Sequence, residues 1–117
     1  MQVLVNTDAS IEGRESMEQE VAAVVSHALE RFERDITRVE VHLSDENAGR
    51  GGESDKRCLM EARLTGRQPL AVSHKAGSMR LAVDGAAEKL QTAVGNMLGR
   101  LRDRRPSPGA APEDSEA

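Results

Sequence analysis

The chain has 117 residues, a formal net charge of −4, one cysteine and one aromatic residue. That length suits one domain able to bury a core without metals or cross-links. The lone Cys58 rules out an internal disulfide and fits a reducing compartment. The near absence of aromatics argues against platforms on which bases stack. Apolar runs no longer than about five residues, as at Val21–Val25, are too short to span a membrane. The opening Met-Gln-Val-Leu-Val-Asn has no signal-like character, so a cytoplasmic location is expected.

Gln2–Asn6 is short and rich in β-branched residues and reads as a strand. Asp8–Gly13 is polar and turn-like. From Arg14 to Arg34 the residues Met17, Val21, Val24, Val25, Ala28, Leu29 and Phe32 recur at three- and four-residue spacing, which is one face of an amphipathic helix. Glu15, Glu18 and Glu20 lead it, and Arg31 and Arg34 close it, which complements the helix dipole. Thr37–Leu43 alternates, with Val39, Val41 and Leu43 on one side and Arg38, Glu40 and His42 on the other, as in a half-buried strand. Ser44–Lys56 contains Gly49, Gly51 and Gly52 among many charges and is expected to be a long mobile loop.

Arg57–Leu64 alternates again, with Cys58, Met60, Ala62 and Leu64 on one face. Thr65–Gln68, with Gly66, suits a hairpin turn. Pro69–His74 is a fourth, shorter strand whose leading proline fits an edge or a first position. Ser78 is placed to cap a helix running to about Arg104. Its apolar stripe is Met79, Ala82, Val83, Ala86, Leu90, Ala93, Val94, Met97, Leu98 and Leu101, and Pro106 stops it. Three glycines inside it (Gly85, Gly95, Gly99) each cost about 1 kcal/mol relative to Ala, so close packing or close backbone approach is expected there. The order β-α-β-β-β-α implies a parallel first pair, two antiparallel hairpins, and both helices on one face of a four-stranded sheet: a two-layer α+β domain over residues 1–105. Residues 106–117, rich in Pro, Ala and acid, read as a disordered tail.

Charge is unevenly divided. Residues 1–55 carry five Lys and Arg against thirteen Asp and Glu, and residues 56–105 carry eleven against four. Such separation suggests a basic face suited to nucleic acid and an acidic face suited to a basic partner, although folding can also interleave the two.

The run Val39-Glu-Val-His-Leu-Ser-Asp-Glu-Asn, the later Asp55-Lys-Arg-Cys, the strand Met60-Glu-Ala-Arg-Leu and Leu81-Ala-Val-Asp-Gly-Ala-Ala-Glu-Lys-Leu, in this order, resemble the hibernation promoting factor and ribosome-associated inhibitor A family. The resemblance covers roughly residues 1–104. It implies a βαβββα domain similar to the double-stranded RNA-binding fold. It also implies a factor that binds rRNA, with ribosomal proteins as further candidate partners, in the tRNA and mRNA path of the small ribosomal subunit and silences idle ribosomes under stress or in stationary phase. The chain is similar to the short members, without a C-terminal dimerisation domain, so a monomer off the ribosome is expected. The runner-up reading is a protein-interaction stress module whose acidic half binds a basic partner.

The candidate RNA-binding residues follow. Lys89, Thr92, Asn96, Arg100 and Arg104 fall on one flank of the second helix, with Asp84 and Glu88 on the other. Arg102 and Arg105 add charge at its end. A strip of bases without acids is what phosphate contact needs, and the plainer explanation is a solvated face favouring the helix dipole. Lys56 and Arg57 at the third strand, with Arg63 and Arg67, and Lys75 and Arg80 beside the second helix are further candidates against ordinary surface charge. His27, His42 and His74 lie on different elements without ligand spacing, so no metal is expected. Cys58 falls on the apolar face and has no visible base, so core packing is expected rather than catalysis. Asp45, Glu46, Glu53 and Asp55 do not match a calcium loop. With no phosphate-binding glycine motif or nucleophile elbow, neither an enzyme nor a cofactor nor a small-molecule substrate is expected.

Overall fold

The computed structural model describes residues 1–7, 14–45 and 56–103, and for 14 and 100–103 the backbone alone. Along the chain lie β1 (Gln2–Thr7), α1 (Arg14–Ala28), a 3₁₀ turn (Glu30–Phe32), β2 (Ile36–Asp45), β3 (Lys56–Leu64), β4 (Leu70–Ala76) and α2 (Met79–Asp103). The sheet has the order β1-β2-β3-β4. β1 runs parallel to β2, and the other two pairs are antiparallel. The fold class read from the sequence holds: a mixed four-stranded sheet with two helices.

Period-two alternation sorts the sheet into two faces. Val39, Val41 and Leu43 of β2 and Cys58, Met60, Ala62 and Leu64 of β3 are buried in one cluster with Val21, Val25 and Leu29 from the α1 segment and Ala82, Val83, Ala86, Leu90 and Val94 of α2. Both helices therefore cover the same face, and the opposite face is open. α2 starts where Ser78 Oγ accepts the Leu81 N–H at 3.2 Å, the expected N-cap.

Several boundaries differ from the sequence reading: β1 extends to Thr7, and β4 runs from Leu70 to Ala76, so that Pro69 precedes the strand rather than leading it. The first helix ends at Ala28 rather than Arg34. The chain then tightens, with Phe32 N–H donating to Leu29 O (2.9 Å) and Asp35 N–H to Phe32 O (2.9 Å). In a 3₁₀ turn residues three apart eclipse, so Leu29 and Phe32 both still reach the core. Arg31 and Arg34 thus do not close α1. β2 begins one residue earlier, at Ile36. Ile36 opposes Leu64 and Arg38 opposes Arg63, so Thr37 is the extra residue of a bulge, and its hydroxyl donates to Arg63 O at 3.0 Å. Ser44, Asp45 and Lys56 belong to the β2–β3 ladder rather than to a loop. The remaining loop 46–55, the turn 8–13, Arg104, Arg105 and the expected tail lie outside the described residues.

Two glycines stand where a side chain would be strained or would clash. Gly66 in the β3–β4 turn has φ +68°, a backbone conformation that side chains disfavour. A Cβ at Gly85 would overlap the His74 imidazole of β4. The close approach expected of α2 occurs there, between helix backbone and edge strand.

Candidate nucleic-acid interface

The open face of the sheet is polar and is ordered by register. At one end Arg38 opposes Arg63, and in the next row Glu40 opposes Glu61. Like charges directly opposed are unfavourable, and here they are compensated along each strand and across one diagonal. Arg38 Nη2 lies 2.7 Å from Glu40 Oε2, and Arg63 reaches Glu40 at 3.9 Å and Glu61 at 3.7 Å. His42 Nε2 lies 3.8 Å from Glu40. This half of the face neutralises itself. Sequence alternation places Arg38, Glu40 and His42 on one side, but the network needs the β2–β3 register to be seen.

The other end of the face is cationic. Arg57 opposes Lys75 across β3 and β4, and Ser44 opposes Arg57 across β2 and β3. Arg57 and Lys75 are thus adjacent basic residues on this end of the face, with the Ser44 hydroxyl in the next strand. Phe32, the only aromatic residue, is buried in the core with the Arg31 guanidinium 5.2 Å from its ring centroid. The face therefore carries no Phe, Tyr or Trp on which a base could stack.

Lys89 projects from α2 toward β4, and its Nζ donates to Ser73 O at 2.9 Å. It stands on the β4 side of the molecule, as do Arg57 and Lys75. Arg80 does not join them. It makes two hydrogen bonds to the Asp84 carboxylate (3.1 and 3.2 Å), and both residues line the groove toward α1 with Glu88 and Gln91. Lys56 also faces away, with its Nζ 3.3 Å from Asp45 Oδ2; by alternation both lie on the helix side of the sheet. Arg100 and Arg102 belong to the last turns of α2, with side chains outside the described residues, as are Arg104 and Arg105 altogether. Arg57 and Lys75 are thus neighbours on the open face, Lys89 reaches the β4 edge from the helix side, and Lys56 and Arg80 each face a carboxylate.

The remaining reactive groups are quiet. Burial pushes the Cys58 thiol up to about 12, so it stays protonated. Among the described residues no three His, Cys, Asp or Glu side chains gather to hold a metal ion. Among them, too, no helix is long and apolar enough to cross a membrane.

Residues 5–102 match the family model described as Sigma 54 modulation protein / S30EA ribosomal protein. The chain belongs to this family. Two solved structures share the S30EA-family fold seen here. The N-terminal domain of Protein Y from Thermus thermophilus superposes with a TM-score of 0.66 at 20% identity, covering 83% of this chain and 99% of that one. A ribosomal subunit interface protein from Coxiella burnetii gives 0.63 at 13% identity, covering 85% and 99%. No curated protein matches the chain.

Proposed function

We propose that this S30EA-family chain is a cytoplasmic, non-enzymatic factor that binds rRNA of the small ribosomal subunit in the tRNA and mRNA path. There it holds ribosomes idle under stress or in stationary phase. Inhibition is steric: the domain occupies the path and performs no chemistry. The reading draws on the family match and on the fold shared with a ribosomal subunit interface protein. The observation that carries it is the cationic β4 side, where Arg57 opposes Lys75 and Lys89 projects from α2. Arg100, Arg102, Arg104 and Arg105 continue the same positive run in sequence. Lys56 and Arg80, each held by a carboxylate, are assigned supporting roles.

Co-sedimentation with small subunits across a salt series tests this. Reversing Lys89, Arg100 and Arg104 to Glu is expected to weaken binding by about tenfold or more, or about 1.4 kcal/mol. It should also flatten the dependence of log affinity on log salt. Reversing Glu15, Glu18 and Glu20 to Lys is expected to leave binding equal or stronger. Normal binding by the first variant with failure of the second would reject the reading in favour of a module that uses its acidic half on a basic protein.

A further inference from the structure

The sheet has two free edges, and they are finished differently. β4 follows Pro69, packs its His74 ring against the α2 backbone at Gly85, and has a carbonyl capped by Lys89. β1 has none of these devices. It contains neither proline nor charge, and among the described residues nothing hydrogen-bonds to its outer edge. Alternate residues of such a strand turn N–H and C=O groups away from the sheet, as a template for one more strand.

A groove of about 600 Å³ runs along this edge, between β1 and α1. Val3, Val5 and Ala22 form its apolar floor, and Glu15, Glu18 and Gln19 wall it. Leu4 also borders the groove, and its side chain, which strand alternation turns toward the other face, is 38% exposed, one of two large apolar side chains so open among the described residues. We propose that β1 is the docking edge for an extended cationic peptide segment, which adds to the sheet as a fifth strand. An incoming strand sends alternate side chains to the two faces. Lysines on the α1 side lay their stems along Val3, Val5 and Ala22 and bring their ammonium groups to Glu15 and Glu18. Apolar residues on the other side cover Leu4. A second copy of this chain fits less well, because strand pairing would bring the two acidic α1 walls together. This docking mode uses the edge opposite the cationic β4 side and stands independently of rRNA binding.

The probe is an end-blocked, fluorescein-labelled (Lys-Val)4 peptide titrated into the full chain and followed by anisotropy. Saturable binding is expected, with hydrogen-exchange protection gained at alternate amides of β1. Glu15→Lys with Glu18→Lys, or Leu4→Lys alone, weakens it by about tenfold or more. Of two peptides, one N-methylated at every lysine and one at every valine, one loses binding because its ladder hydrogens are gone. Lys89→Glu leaves peptide binding intact, so failure here and failure of small-subunit binding are told apart. Absence of saturable binding, equal binding by both N-methylated peptides, or protection appearing in the α1–α2 groove instead of β1 overturns the proposal. So does a dimer of the free chain that Leu4→Lys dissociates.

Discussion

The β4 edge and the β1 edge border the same sheet, yet one is guarded by a helix and a lysine and the other is open. The difference follows from the helices. α2 has 25 residues and lies against β3 and β4, whereas α1 has 15 and lies against β1. A helix of 25 residues is about 37 Å long, enough to outrun a strand of seven residues at about 3.3 Å each. Near β4 a glycine removes the side chain that would hold helix and strand apart, and a lysine reaches over the edge. Near β1 the helix leaves a groove. An open edge is a liability for self-association; here acidic residues of α1 stand over it.

The contrast is most directly broken at Gly85. Gly85→Val is expected to destabilise the chain by about 2 kcal/mol in urea unfolding, because the new side chain must displace His74. In a His74→Ala background the same change should cost clearly less, and equal costs in both would show that the two residues are not coupled.

Cys58 reports on the closed side from within, since it opposes His74 across the β3–β4 ladder. Its thiol ionises in the unfolded chain above 9.0 and in the folded chain only near 12. The contribution is therefore complete below pH 9 and declines as pH rises toward 12. By pH 10 the loss is about 1.4 kcal/mol, measurable as the difference from a Cys58→Ala chain over the same pH series. Thiol reagents near neutral pH should label Cys58 only as fast as the protein opens; rapid labelling under native conditions would show that the β4 side is not closed.

Smaller effects separate the two edges further. Lys89→Met removes the hydrogen bond to Ser73 O and should cost about 1 kcal/mol, with faster amide exchange confined to β4. Leu4→Lys, on the open edge, should change stability by less than about 0.5 kcal/mol. A larger loss would mean that Leu4 packs against something in the free chain.

Much of this architecture was legible from periodicity. The Val39, Val41, Leu43 and Cys58, Met60, Ala62, Leu64 rows face the core as alternation predicts, and Ser78 caps α2 as its position suggests. What periodicity missed has physical reasons. Leu29 and Phe32 are spaced three apart, which suits an α-helix and a 3₁₀ turn equally, so the end of α1 could not be read. The bulge at Thr37 breaks the two-residue period and hides Ile36 from the strand pattern. Candidate site residues were less legible still. A basic residue declares its charge but not its partner, and Lys56 and Arg80 turn out to be held by Asp45 and Asp84. The Glu40 network and the Arg57–Lys75 pair exist only once register is known.

The parallel pairing of β1 with β2 also sets a schedule for the nascent chain. Ala62 meets Leu70 eight positions later, but Gln2 must wait for Arg38, thirty-six positions later, before its strand has a neighbour. At about 5–20 residues per second of synthesis, Val3, Leu4 and Val5 spend about 2–7 s exposed before a sheet exists to receive them. Closing so wide a separation also costs more chain entropy than closing the β3–β4 hairpin. The first strand synthesised thus has the longest wait for its neighbour.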